Sequence, residues 1–280
     1  MGYRSHMDTT RCLIPPAEHP ERLIHSAVIE RFRAAGGHAA LAEIAGRDSV
    51  AAAIAAARES DITLILPTVV HTATEFGDFS APDRVALVLA ERLAGVAEVL
   101  PAIHLGSPRL WAALNSRFGA EIVQRFGAYS PCAACHLYMH LCRIPLSQLL
   151  GDAPVIAGER ATHGGRPKVS QTTCSIDASI EVLAHAGITL LQPIRNVADN
   201  NRIAGIVGAW SGDDQLACVH SGNYVGIDGG VLADNTAFDR FTREFALPAG
   251  MAVVEAWRTN AEPDYQAIVA GVLRDSERTT

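Results

Sequence analysis

The sequence predicts an α/β fold: a five-stranded, parallel, doubly wound sheet followed by a helical C-terminal extension. Three observations carry this expectation. Short apolar runs alternate with helix-spaced ones from about residue 38 to residue 207, and such alternation implies right-handed crossovers and parallel pairing. The apolar fraction of 49% comes largely from Ala, Val, Leu and Ile, with aromatics at only 6%. That balance suits strands covered by Ala-rich helices better than a β-sandwich. The run Asp61 to Pro67 (DITLILP) is apolar almost throughout, as a strand buried on both faces should be.

The elements follow in order. Glu21 to Ala35 carries helical spacing (Leu23, Ile24, Ala27, Val28, Phe32) and stops at Gly36-Gly37. His38 to Ile44 reads as a short buried strand, Ala45 to Asp48 as a turn, and Ser49 to Arg58 as an Ala-rich helix. After the strand at 61–67 come an amphipathic helix from Pro82 to Ala94, a strand at 97–103 and a helix from Pro108 to Phe118. A helix then carries Cys135 to Leu150, a strand Ala153 to Ala157, a helix Ile176 to Ala186, a strand Ile188 to Leu191 and a helix Val197 to Val207. Two further helices are expected near 236–246 and 262–274, beyond a Gly-rich stretch, with a domain boundary near 220. Residues 8–220 thus form the expected α/β domain and 221–280 the extension. Residues 1–7 (MGYRSHM) are expected to be an added leader before a natural start at Met7.

The 280 residues suffice for one large or two modest cores. No apolar stretch spans a bilayer and no secretory leader is recognisable, so a cytoplasmic location is expected. The net charge of −7 disfavours nucleic acid as the main partner, because phosphate neutralisation calls for a basic face. Basic residues cluster modestly at Arg160, Arg166 and Lys168. The oligomeric state, a homodimer included, stays open.

The stretch from Ala39 to Ala51 has the order strand, tight turn, helix. A turn at a strand's carboxyl end brings backbone N–H groups and a helix N-terminus to one spot, which favours anions. Gly46 lets a phosphate approach the backbone, Ser49 can cap or donate, and Arg47 can add a charge-assisted contact. Asp48 sits oddly beside phosphates unless it caps the turn or engages Mg²⁺. An ordinary βα turn with an Asp/Ser cap has the same pattern.

Gly46, Arg47, Asp48 and Ser49 resemble the last four positions of the Ser-Gly-Gly-x-Asp-Ser loop of the PP-loop ATP pyrophosphatases. Ile44 and Ala45 replace the first Ser and Gly, which removes a hydroxyl. Further matches fall in family order. His71 to Phe76 (HTATEF) is similar to the segment bordering adenosine in sulfonucleotide reductases, and Gly158-Glu159-Arg160 stands where the family meets the nucleotide. Ser170-Gln171-Thr172 resembles an element of tRNA 4-thiouridine synthases. Gln192-Pro193-Ile194-Arg195, with Asp199 and Ile203, resembles a segment preceding a late cysteine in thiolating members. The resemblance covers roughly residues 38–220. It implies a HUP-type, Rossmann-like fold and binding of ATP with Mg²⁺, with Ala45, Gly46, Arg47, Asp48, Ser49, His71, Gly158, Arg160 and Lys168 around the nucleotide.

Six cysteines stand at 12, 132, 135, 142, 174 and 218. In a cytosolic chain metal binding or redox chemistry is the better expectation than a disulfide framework. Cys132 and Cys135 open a helix, whose N-terminus is expected to lower their pKa and favour thiolates. In PP-loop tRNA thiolases such a pair and one late cysteine hold a [4Fe–4S] cluster. The resemblance therefore implies Cys132, Cys135 and Cys218, the last 83 residues after Cys135, as ligands that leave one iron open for sulfide. Alternatives are a structural Zn²⁺ site from Cys132, Cys135, His136, His140 and Cys142, or a persulfide or disulfide pair. Cys12 reads as incidental, Cys142 and Cys174 as buried small hydrophobes, with Cys174 also placed to handle sulfur.

Other polar residues have two readings each. His163, Gly164, Gly165, Arg166 and Lys168 form a loop that can close over a triphosphate or stay a solvated surface loop. Glu43, inside its strand, needs a partner such as Arg47 or a substrate amine. His104 and Arg109 flank the edge of the third strand. Together these readings anticipate ATP-dependent thiolation of a small-molecule carbonyl, such as that of a nucleobase or nucleoside, by a sulfide or persulfide donor. The catalytic residues would be Asp48, Cys132, Cys135 and Cys218. An amide-forming ligase using ammonia, a tRNA thiolase and a non-catalytic nucleotide-binding protein are the alternatives.

Overall fold

A computed structural model of the chain describes residues 14–162, 168–211, 215–230, 235–259 and 262–277. Helix α1 (Ser26–Ala35) ends at Gly36, whose φ of 54° suits a residue without Cβ. Strand β1 (Ala39–Glu43) leads into α2 (Arg47–Glu59), whose residues Val50 to Ala57 are all buried. Then come β2 (Leu64–His71), β3 (Glu75–Phe76), α3 (Ala81–Arg92), β4 (Glu98–Val99) and β5 (Ile103–Gly106). They are followed by α4 (Pro108–Asn115), α5 (Gly119–Phe126), α6 (Cys135–Leu149), β6 (Val155–Ile156) and α7 (Thr173–His185). The chain continues through β7 (Leu190–Leu191), α8 (Asn200–Val207), β8 (Ala217–Cys218) and α9 (Asn235–Phe241). A π-helical turn (Thr242–Ala246) joins α9 to α10 (Leu247–Thr259), and α11 (Tyr265–Glu277) follows.

The main sheet has six strands, every pair parallel, in the order β4-β2-β1-β6-β7 with β5 also on β2. Strands β4 and β5 share one edge of β2: β4 pairs with Leu64 and Ile65, β5 with Thr68 to His71. The sequence suggests one strand over 97–103, and Pro101 explains the difference. Proline has no N–H for the ladder, so pairing breaks and resumes two residues later. Two other expectations change. The helix placed over 108–118 is α4, with α5 as a separate helix after it. The helix expected over 236–246 runs on through the π turn into α10, and Pro248, which has no N–H to donate, stands just after that turn.

Alternate strand residues face opposite layers. Leu41, Leu64, Leu66, Val70 and Val155 face one core with α6, α7 and the C-terminal helices, to which Phe238, Phe245, Val253 and Val269 contribute. Ala40, Ala42, Ile65, Val69 and Ile156 face the other core, formed with α2, α3 and α8. Both sides of the sheet are thus covered, which explains why its strands read as apolar runs. The strand order reverses between β1 and β6, so their carboxyl ends flank the crevice where open α/β sheets bind ligands. Among the described residues no helix is long and apolar enough to cross a membrane.

Candidate functional site

The loop between β1 and α2 is closed by its own serine. Gly46, not Ser49, is the N-cap of α2, with extended backbone. The buried Ser49 hydroxyl donates to the Gly46 carbonyl at 2.7 Å and accepts from the N–H groups of Ala45 at 3.0 Å and Gly46 at 3.1 Å. These bonds fix the loop, while the first N–H groups of α2 have no partner inside the helix. Gly46 is also tight on its open side. A Cβ there would lie 2.8 Å from Oε1 of Gln215.

Asp48 has a partner that sequence reasoning did not assign. Arg160, leaving β6, donates from Nε to Asp48 Oδ2 at 2.9 Å, and from its terminal nitrogens to the Val197 carbonyl and Asn200 Oδ1. Arg47 donates to the other Asp48 oxygen at 3.3 Å and reaches Asn200 as well. Asp48 therefore ties the start of α2 to the segment before α8, and both of its oxygens are engaged. Lys168 is exposed, yet crowding lowers its pKa through desolvation, which the nearby Asp48 and Glu43 carboxylates partly oppose.

Beside the loop lies a cluster absent from the expected site. Glu43, at the end of β1, accepts from the Gly158 N–H at 3.1 Å. Glu159 accepts from His136 Nδ1 at 3.1 Å and His140 Nε2 at 2.6 Å, both on the first turns of α6. One ligand atom from each of Glu43, His136 and Glu159 lies within 4.8 Å of the others. Burial would raise the Glu159 pKa, but the two imidazoles hold it well below the usual carboxylate range. Gln171 joins the same group, accepting from the Arg160 N–H at 3.3 Å. The signals in the sequence were Glu43 inside a strand and His136 and His140 one helical turn apart; their link to Glu159 is tertiary.

Cys132, Cys135 and Cys218 come near enough to interact electrostatically. Two short strands bring this about: β3 and β8 pair antiparallel with Glu75 opposite Cys218. Cys218 Sγ shares a hydrogen bond with Thr74 Oγ1 at 3.2 Å, and Cys132 Sγ donates to the His220 carbonyl at 3.4 Å. Cys218 helps to raise the pKa of Cys132, and Cys132 and Cys218 together help to raise that of Cys135. The expectation that the N-terminus of α6 makes this pair acidic is reversed. Desolvation dominates, pushing Cys132 up and Cys135 up to about 12.

The five-residue zinc set does not assemble. His136 and His140 turn to Glu159, and Cys142 is fully buried beside Tyr138. Cys174 faces the Asp239 carbonyl of α9 at 3.7 Å. Thr172 caps α7, Asp199 caps α8, Arg195 pairs with Asp177 at 2.7 Å, and Ile203 is core. Arg109 lies over the Tyr265 ring. Cys12, His163, Gly164, Gly165 and Arg166 lie outside the described residues.

Loop, cluster and thiols share one region. His136 directly follows Cys135, and Gln215, against Gly46, is three residues before Cys218, a span of at most about 10 Å. His71, at the end of β2, shares a hydrogen bond with His104 Nδ1 at 2.8 Å, and His104 Nε2 meets Asp83 at 3.0 Å.

No family model matches the chain, and no solved structure matches it significantly. Uncharacterized protein MJ0009 of Methanocaldococcus jannaschii is 34% identical over 221 residues, which cover 77% of this chain and 79% of that protein. At that identity and coverage, the chain belongs to one family with Uncharacterized protein MJ0009.

Proposed function

We propose that this chain is a cytoplasmic ATP-dependent sulfurtransferase of the PP-loop type, forming AMP and pyrophosphate. Its acceptor is a small molecule with a lactam carbonyl, such as a nucleobase or nucleoside. One observation carries the reading: Cys218, 83 residues on from Cys135, comes near enough to Cys132 and Cys135 for the three to interact electrostatically. The strand order, with that loop following the first strand, supports the finer reading of a HUP-type sheet.

The residues divide the work. Gly46 and the first turn of α2 receive the phosphates of Mg²⁺-bound ATP, and the Asp48–Arg160 pair holds that turn in place. The acceptor's carbonyl oxygen attacks the α-phosphorus, the bond to pyrophosphate breaks and pyrophosphate leaves, while the neighbouring ring N–H releases its proton to solvent. Hydrosulfide then adds to the carbon, the C–O bond breaks, and AMP leaves with the electron pair. The proton on sulfur returns to the neighbouring ring nitrogen, so no oxidant or reductant is consumed.

The thiols fit a cationic occupant. Cys132 and Cys135 are desolvated, so their thiolates become favourable only when positive charge sits beside them. Cys132, Cys135 and Cys218 would hold a [4Fe–4S] cluster, which when bound supplies a place to keep sulfide next to the acceptor. The test compares protein purified without oxygen with a Cys132→Ala variant. About four irons per chain with a broad absorbance at about 400 nm, lost in the variant, are expected. Sulfide-dependent AMP release with a carbonyl acceptor should follow the cluster content. Stoichiometric zinc in place of iron, or ATP left intact by cluster-loaded protein, would overturn the proposal.

A further inference from the structure

Glu43 and Glu159 are 4% and 2% exposed. Two carboxylates this close and this buried need compensating positive charge. Neither forms an ion pair with an arginine or lysine among the described residues: Lys168 feels the charge of Glu43 without pairing with it, and Arg160, the nearest guanidinium in sequence, is committed to Asp48. Their partners are an amide N–H and two imidazoles.

The surroundings are those of a first ring of ligands held by an outer one. His140, fully buried, donates Nε2–H to Glu159 and fixes its orientation. Gly158 does the same for Glu43 through its N–H. Gln192 directs its Nε2 at Glu159 Oε2 at 3.4 Å, while its Oε1 is buried without any hydrogen-bond partner. The unpartnered Gln192 oxygen leaves a buried acceptor beside the carboxylates of the cluster. The His136 side chain keeps 22% of its surface exposed, so the cluster opens to solvent on one side.

We infer that Glu43, Glu159 and His136 bind a divalent first-row transition-metal ion. Two carboxylates and one imidazole form a set that suits Mn²⁺, Fe²⁺ or Zn²⁺, since imidazole adds nothing for Mg²⁺. His140 is the outer-ring residue that orients Glu159. The site lies at the switch point between β1 and β6, one residue from the glycine that touches the start of α2. It uses none of the three thiols as ligands, and its existence does not depend on ATP turnover.

The test is a titration of the full-length chain with Mn²⁺ alone, without nucleotide, counting free ion by electron paramagnetic resonance. Mn²⁺ favours oxygen and nitrogen over thiolate ligands, which separates this site from the cysteines. Saturable binding of one ion per chain is expected, unchanged by Cys132→Ser with Cys135→Ser. Glu159→Gln and His136→Ala should abolish it, and His140→Ala should weaken it by about 10- to 100-fold. His136→Ala removes a partly exposed side chain and keeps the test valid if Glu159→Gln fails to fold. No binding by the wild-type chain up to about 1 mM overturns the inference. So does binding that survives His136→Ala, or that disappears only with the cysteines.

Discussion

Gly158 lies against the backbone of Ser49. A Cβ on Gly158 would stand 2.6 Å from the Ser49 nitrogen and 2.8 Å from the Asp48 carbonyl carbon. The exit of β6 and the first turn of α2 therefore touch through backbone, where neither can yield. Gly158→Ala should destabilise the fold by about 1–3 kcal/mol. Gly205→Ala, at an exposed position of α8 with nothing within 4 Å, should be neutral or stabilising by up to about 1 kcal/mol. Urea unfolding of both variants checks this; equal midpoints would remove Gly158 from its role.

What the sequence made legible was local. The β1–turn–α2 unit could be read because Ala39 to Ala51 changes from an apolar run to helical spacing at Gly46. The buried β2 could be read because both of its faces are apolar. The split of β4 from β5 hinged on one proline within a continuous-looking run. The meeting of Cys218 with Cys132 and Cys135 depends on β3 and β8, two residues each, too short to leave any periodicity. The partners of Glu159 were hidden differently. His136 and His140 marked a helix face, but the buried carboxylate they hold stands beyond β6, and no spacing rule connects them.

Asp48 and Arg160 make a directional prediction. Arg160 is buried, and Asp48 is the one carboxylate it bonds among the described residues. Asp48→Ala would leave the guanidinium with carbonyl and amide oxygens only. Losing a hydrogen bond between charged groups costs about 1.5–3 kcal/mol, so that variant should unfold at lower urea. Arg160→Met, which removes the buried charge as well, should be hurt less in stability while the turn loosens. Equal stability of Asp48→Ala and wild type would show that Asp48 does not brace the loop.

The thiol pair should be unreactive without a bound cation. Desolvation first, then the neighbouring thiols, lift Cys135 to about 12 from 9.0. At pH 8 iodoacetamide should therefore alkylate Cys135 at least about tenfold more slowly in the folded, metal-free chain than in urea. The same shift links folding to pH. Between pH 9 and about 12 the unfolded thiol is ionised while the folded one stays protonated, so the folded chain binds more protons and stability falls as pH rises. Alkylation rates by mass spectrometry, equal in folded and unfolded chain, would contradict this.

His71 should act in the opposite pH range. Its pKa is lowered below 6.5, first by burial; the charge of His104 lowers it further, while Glu75 and Asp83 pull it up. The hydrogen bond to His104 and the stacking of its ring with Phe79 keep it in place as a neutral imidazole. When His104 Nε2–H donates to Asp83, its Nδ1 accepts from His71 Nε2–H, and this chain runs in one direction. Below 6.5 the unfolded histidine gains a proton that the folded one resists, so the unfolded chain binds more protons. The contribution of His71 is complete above pH 6.5 and is lost as the pH falls through its lowered folded value. His71→Gln should flatten the acid limb of a stability profile measured by urea unfolding, leaving a constant offset above pH 7. Parallel profiles for wild type and variant across the acid limb would mean that His71 titrates in the fold as it does in the open chain.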